Sequence, residues 1–423
     1  MEKGVRKRKF PKRPKIGIVS SDSPFNYFGK VGAVKIRPLY ILSVIILQFV
    51  GVVCCTQSSI GQEPPPKAKK PTKVPQAVAI SAIKKLHGKV TFEEGHARKV
   101  DLAFTYANDD TLVQLKHLPK LEELILRDTD VTDAGLIHLR ELPNLKKLTI
   151  RQMKTSDAGL AHFKGLKNLE TLNLDGTEIT DAGLAHLKEV PNLKELSITW
   201  TSVTDAGLVH LGNVAKLERL NLSDTQVTDK GLSHLKGMKT LERLLLESTE
   251  ITDVGLVHLK GLTKLKWLDL GGTEVTSAGL VHLKGLTTLK WLNLTSTQIT
   301  DVGLASVKEL KNLTALHLLG TQITDTGLVH LQELTSLESL SFGGFGGRRK
   351  ITDAGLVHLK ELTKLQCLWM PLTRITDTGL IHVEAMTNLR ELNLSRTQIS
   401  AEGLDRLEKA IPDCKIYHRL RPQ

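Results

Sequence analysis

Aromatic side chains are scarce, making up 4% of the 423 residues. An interior anchored on Phe, Tyr and Trp is therefore excluded, and any core must be aliphatic. Cysteine is scarcer still, with Cys54, Cys55, Cys367 and Cys414 alone. No C-x-x-C pair and no Cys/His zinc spacing occurs, so neither a disulfide framework nor a zinc module is available. Cys367 and Cys414 are read as free thiols. The chain also lacks G-x-S-x-G, P-loop, HExxH and dinucleotide-binding motifs. Nothing positive points to an enzyme, a cofactor or a bound metal.

The folded part lacks an excess of either charge. The net charge is +13, but residues 1–76 hold 15 Lys/Arg against three acids. The remaining 347 residues carry 43 basic and 42 acidic side chains. A nucleic-acid binder would show its excess on the folded surface, so that class is excluded. The basic residues instead precede an uncharged run, Leu39 to Cys55. As a helix this run would be ~26 Å long, close to a bilayer's hydrocarbon thickness. The positive-inside rule then keeps residues 1–38 cytoplasmic and exports the chain beyond Cys55. Residues 39–55 are expected as an uncleaved single-pass anchor; a cleaved signal, cut near Ser59–Gly61, gives a secreted or periplasmic product. Residues 56–76, with five prolines and four lysines, read as a solvated linker.

After residue 96 the chain repeats itself every 24 residues. The pattern is L-x-x-L-x-L-x-x-T-x-[IV]-T-D-x-G-L-x-H-L-x-x-L, starting at Leu121 and returning through Leu389, with a degenerate first copy near Ala97. This makes thirteen units. Leu121, Leu124 and Leu126 have the spacing of a short strand. Thr129 supplies a hydroxyl for backbone groups of the turn. Thr132 or Asp133 caps a short helix whose inner face is Leu136, Leu139 and Leu142, and Gly135 is expected to allow close packing against the neighbouring coil. About seven aliphatics per unit contribute roughly 10–20 kcal/mol. Ordering 24 backbone residues costs roughly 24–48 kcal/mol. A single coil therefore cannot fold, and stability must come from stacking. Residues 77–96 are expected to cap the array at its start, with a helix over 77–88, and residues 412–423 at its end, where Ile416 continues the core register.

Such units, TEITDAGLAHL at 177–187 and TQITDTGLVHL at 321–331 among them, resemble the leucine-rich repeat family in its ITDxGLxxL form, over about residues 97–411. The resemblance implies an α/β solenoid or horseshoe, with a parallel sheet on the concave face and short helices on the convex face. It is similar to exported or membrane-anchored bacterial repeat proteins, and implies a non-enzymatic recognition scaffold for a protein or cell-envelope polymer, expected as a monomer. Similar repeats occur in F-box adaptors of ubiquitin ligases, which makes an intracellular substrate adaptor the alternative. The run at 39–55 argues against it, and residues 56–96 offer little room for an F-box.

A residue present in every unit is structural, because a site is needed once. The aspartates Asp133, Asp181, Asp205, Asp229, Asp253, Asp301, Asp325, Asp353 and Asp377 are thus helix-start residues. The histidines recurring from His138 to His382 form a helix-surface ladder, not metal ligands. The sequons at Asn221, Asn293, Asn312 and Asn393 arise from the repeat's own wording. The residues that break the repeat carry the site. All four tryptophans fall at strand or strand-end positions expected on the concave face: Trp200, Trp267, Trp291 and Trp369. Trp267 and Trp291 share a column in adjacent units, ~4.8 Å apart by strand spacing. Leu245, His317, Leu319 and Leu372 are expected on the same face. The unit carrying GGFGGRRK at 343–350 has four extra residues, which place Arg348 and Arg349 as candidate partner contacts.

Overall fold

A computed structural model describes residues 74–212, 214–344 and 350–418. The chain divides into two units, 1–68 and 69–423, and the described residues belong to the second. The basic segment 1–38 and the apolar run 39–55 lie outside them, as do Arg348 and Arg349. Among the described residues no helix is long and apolar enough to cross a membrane.

Among the described residues fifteen strands form one sheet in strict sequence order. All neighbours are parallel except the first pair, Lys89–Glu93 against His96–Asp101. Parallel strands require a crossover, and the 24-residue period supplies one as a short α or 3-10 segment per coil, such as Asp229–Leu232 followed by Ser233–Leu235. The central leucine of every strand pairs with its equivalent in the next, from Leu124 with Leu148 to Leu392 with Ile416. These leucines alternate inward and are almost wholly buried, together with those of the helical segments. Phe163 and Phe342 are the fully buried aromatics among the described residues, so the interior is aliphatic as composition demands.

The repeated polar residues hold coil to coil. Asp205 heads the helix Asp205–Leu211, yet its carboxylate serves the following coil. It accepts the Thr228 backbone N–H at Oδ1 and the Thr228 hydroxyl at Oδ2, both at 2.7 Å. Thr228 Oγ1 in turn accepts the Lys230 N–H at the start of the next helix. The threonine is therefore the cap, and the aspartate orients it from one coil away. The same pair recurs at Asp181–Thr204, Asp253–Thr276 and Asp353–Thr376. Asp325 reaches Thr352 in the same way across the four-residue insertion, so the extra residues leave the stacking undisturbed. The glycine after each cap is needed by this pair. A Cβ on Gly231 would stand 2.5 Å from Asp205 Oδ1. The turn threonines close on the carbonyl three residues earlier, as Thr225 does on Leu222 (2.6 Å).

The start of the array differs from the sequence expectation in two respects. A helix spans Val74–Lys85 and ends before 88, because His87 turns left-handed (φ 62°) and the Gly88 N–H closes on Ile83 O. A hairpin comes next. Glu94 and Gly95 both have positive φ, as a tight hairpin turn requires. Its outer strand is largely exposed and covers the sheet edge with an antiparallel partner.

Candidate functional site

Side chains on the outward side of the sheet form two columns. In the first, Arg219, Arg243, Trp267, Trp291, Ala315, Ser339 and Cys367 are consecutive neighbours. In the second, the order is Asn221, Leu245, Asp269, Asn293, His317, Ser341, Trp369 and Asn393. Trp267 and Trp291 thus stand side by side, both half-buried. The Arg243 guanidinium lies 4.9 Å from the Trp267 ring centre. The Trp291 ring meets His317 at 5.3 Å, tilted by 56°, and His317 Nδ1 pairs with Ser341 Oγ at 3.0 Å. Leu245 adjoins Asp269, and Leu319 ends its strand opposite Gly343.

The other positions are not gathered with these. Trp369 lies in the second column, three strands or ~14 Å from Trp291, with Leu372 just beyond its strand. Between them the face carries His317 and the small residues Ala315, Ser339 and Ser341. Trp200 lies three coils before Trp267, past its strand, and is 61% exposed. Trp200 and Leu372 both occupy the turn position that is left-handed throughout the array (φ 58° and 59°). That turn lets the chain leave the sheet while its N–H still bonds the next coil, as Asp224 does with Glu247 O. Most other coils place Gly, Asp or Ser there, with Phe104, Gln152 and Arg396 as the exceptions. A bulky side chain at such φ costs ~1–2 kcal/mol. Trp200→Gly is accordingly expected to leave thermal stability unchanged or raise it by about 1 kcal/mol; a clear loss in a melting experiment would mean that the indole packs against its surroundings.

Two groups on this face are perturbed by burial. Asp269 is 5% exposed, and its carboxyl is pushed up to about 7, first by desolvation and then by nearby Glu247. The Gly271 N–H (2.9 Å) and Asn293 Nδ2 (2.8 Å) donate to Oδ1 and oppose the shift without cancelling it. Burial pushes His317 down to about 4, so its ring is neutral at ordinary pH. Burial also raises the Cys367 thiol, to about 11, leaving it unreactive. Sequence reasoning passes over Asp269 and Arg243 and reads Asn293 only as part of a sequon. A signal exists all the same: Asp269 is a carboxylate in a column otherwise made of amides, hydroxyls and apolar or aromatic groups.

The histidine ladder lies on the helical side. His162 Nδ1 pairs with Arg140 (3.3 Å) and His358 Nδ1 with Gln332 (2.6 Å). Among the described residues no group of three or more His, Cys, Asp or Glu could hold a metal. A depression of about 390 Å³ lined by Glu338, Lys364, Gln366, Asn388 and Arg390 lies where the strands begin and contains none of the tryptophans. The tryptophan cluster is an open face.

A sequentially ordered parallel sheet, one helical segment per coil and a single aliphatic core define a repeat solenoid with an extended outward sheet face. Leucine-rich repeat family models match residues 213–275 and, separately, 117–139, 165–187, 191–212, 285–307, 309–331 and 385–407. The chain is a leucine-rich repeat protein. It is similar in structure to an internalin from Listeria monocytogenes, with a TM-score of 0.53 and 20% identity over 82% of this chain and 95% of that one. A leucine-rich repeat protein of Leptospira interrogans gives a TM-score of 0.50 and 21% identity over 78% and 93%. Both likenesses concern the fold. No curated protein matches the chain.

Proposed function

We propose that the protein is a non-catalytic recognition scaffold that binds a protein or cell-envelope polymer across its outward sheet face. The observation carrying this reading is the adjacency of Trp267 and Trp291 on a solvent-facing sheet, in a chain with only four tryptophans. Large amphipathic rings held on a rigid strand bind at low entropic cost and are the usual centres of binding energy. Arg243 and His317 buttress the pair, and Leu245 and Leu319 extend its apolar margin. Trp200, Trp369 and Leu372 are secondary contacts at a distance, and Arg348 and Arg349, which lie outside the described residues, are further candidate contacts by their charge. In this reading residues 39–55 anchor the chain with its N-terminus cytoplasmic, residues 56–76 space the monomeric repeat domain from the bilayer, and the repeats lie outside the cytoplasm. The basic residues preceding that run support this orientation.

Replacing Trp267 and Trp291 together with Ala is expected to weaken binding of the full-length chain to isolated cell envelopes about tenfold or more, with thermal unfolding nearly unchanged. The opposite pattern, intact binding with a large loss of stability, would make the pair a packing device. Protease shaving of intact cells tests the topology: loss of the repeat domain is expected, and its protection would sink the exported orientation.

A further inference from the structure

We infer that the patch around Trp267, Trp291 and Asp269 takes a neutral glycan whose sugar rings carry free vicinal hydroxyls; this rests on the scaffold reading and names its ligand. The starting point is the unequal use of the Asp269 carboxyl. Oδ1 accepts both of its hydrogen bonds, from Gly271 N–H and Asn293 Nδ2, and Oδ2 accepts none from the described residues. This oxygen keeps access to solvent, and it stands on the outward side of a strand whose first residue is Trp267. Asn293 is held in place at both ends. Its Oδ1 accepts the Thr295 N–H (2.9 Å) and one Nδ2 hydrogen goes to Asp269, which leaves one amide hydrogen to offer. A fixed acceptor and a fixed donor therefore stand side by side on adjacent strands. Gly271 keeps this arrangement open, because a Cβ there would come within 2.8 Å of Asn293 Nδ2.

Adjacent hydroxyls on one sugar ring meet that pair directly: one donates to Asp269 Oδ2 and the next accepts from Asn293. The C–H face of a pyranose is apolar and flat, and the indoles of Trp267 and Trp291 offer matching surfaces one strand spacing apart. The polar groups are short and already bonded to the protein, so little side-chain freedom is lost on binding. A cationic peptide fits less well. The Arg243 guanidinium already lies over Trp267 and repels a second cation. Burial also weakens Asp269 as an anion, whereas either protonation state of the carboxyl can bond a hydroxyl. The patch is open along the stack, toward the small residues Ala315 and Ser339, which suits a chain of sugars better than a single small molecule.

The test uses the full-length chain and two defined probes. Cellohexaose has free vicinal diols on every ring; in laminarihexaose the linkage blocks them on all rings but the two terminal ones. Cellohexaose is expected to quench indole fluorescence saturably, and laminarihexaose to bind at least about tenfold more weakly. At pH ~8, where Asp269 is mostly ionised, Trp291→Ala and Asp269→Asn should each cost about tenfold or more in cellohexaose affinity, the second because an amide N–H replaces the Oδ2 acceptor. Cooperative melting at or above the wild-type temperature would show that both variants fold. Equal binding of the two sugars, or binding indifferent to both variants, overturns the inference. So does the absence of binding to either hexasaccharide. If the double tryptophan variant loses envelope binding and protease treatment of the envelopes abolishes it too, the partner is a protein: the glycan inference falls and the scaffold stands. If that variant binds envelopes as the wild type does, the scaffold reading itself falls.

Discussion

Gly231→Val is expected to disrupt the boundary between the coils beginning at Leu193 and Leu217, at a cost of roughly 3–6 kcal/mol. The new Cβ would stand 2.5 Å from Asp205 Oδ1 and 3.0 Å from Leu208 and Val227 side-chain carbons. The carboxylate cannot swing aside freely, because the Thr228 N–H and hydroxyl both bond it. Hydrogen bonds to a charged group are each worth ~1.5–3 kcal/mol, and moving Asp205 forfeits both. Coils are stabilised by their neighbours, so the local loss should appear as an earlier or split transition in urea, monitored by far-UV circular dichroism of the full chain. Asp205→Ala provides the control. In that background the atom that Gly231→Val strikes is gone, so the further cost of the valine should shrink, a coupling that a double-mutant cycle measures. Full additivity would mean that the glycine matters for another reason. The protein supplies its own comparison at Gly303, whose neighbour is Ser277 instead of an aspartate. There a Cβ would stand 2.8 Å from Ser277 Oγ, and Gly303→Ala should be milder than Gly231→Ala.

Asp269→Asn should stabilise the protein at alkaline pH and do little at pH ~4, by up to about 4 kcal/mol at pH ~8. The folded-state carboxyl titrates at about 7, against an ordinary value of 3.8. A raised pKa means that the folded state holds the proton more tightly than the unfolded chain does. The contribution is fully present below about 4 and is lost as pH rises through about 7. Asparagine never ionises, so the variant escapes that loss. His317, two coils away, works in the opposite sense. Burial lowers it from 6.5 to about 4, so its contribution is present above about 6.5 and lost as pH falls through about 4. The variant should therefore keep the acid limb of the stability profile and flatten the limb above pH ~4. Parallel pH profiles for wild type and variant would refute the assignment. If the glycan inference holds, this variant gains stability while losing affinity, as expected of a buried polar group kept for binding.

Much of this molecule could be read without its fold. The 24-residue pattern states which leucines face inward, where each strand and helix begins, and that Thr225 and its equivalents close the turn. The logic that removes repeated residues from the candidate sites also holds: Asp205 and its equivalents are tied to the next coil. Their partners were not legible, because Asp205 and Thr228 lie 23 residues apart and meet only when coils stack. The N-terminal hairpin escapes detection for a different reason. Its outer strand buries almost nothing, so hydrophobic alternation leaves little trace.

The sequence by itself determined a solenoid: a period, an aliphatic interior, and the confinement of the tryptophans to strands or their ends. These are properties of one coil, restated each time the pattern returns. Only the tertiary structure decided which outward residues are neighbours. It placed Trp369 in a different column from Trp267 and Trp291, put Trp200 at a left-handed turn, and buried Asp269 beside Asn293 with one oxygen unused. Lateral position across a sheet depends on the register between strands a full repeat apart, and that register is set by the stacked core.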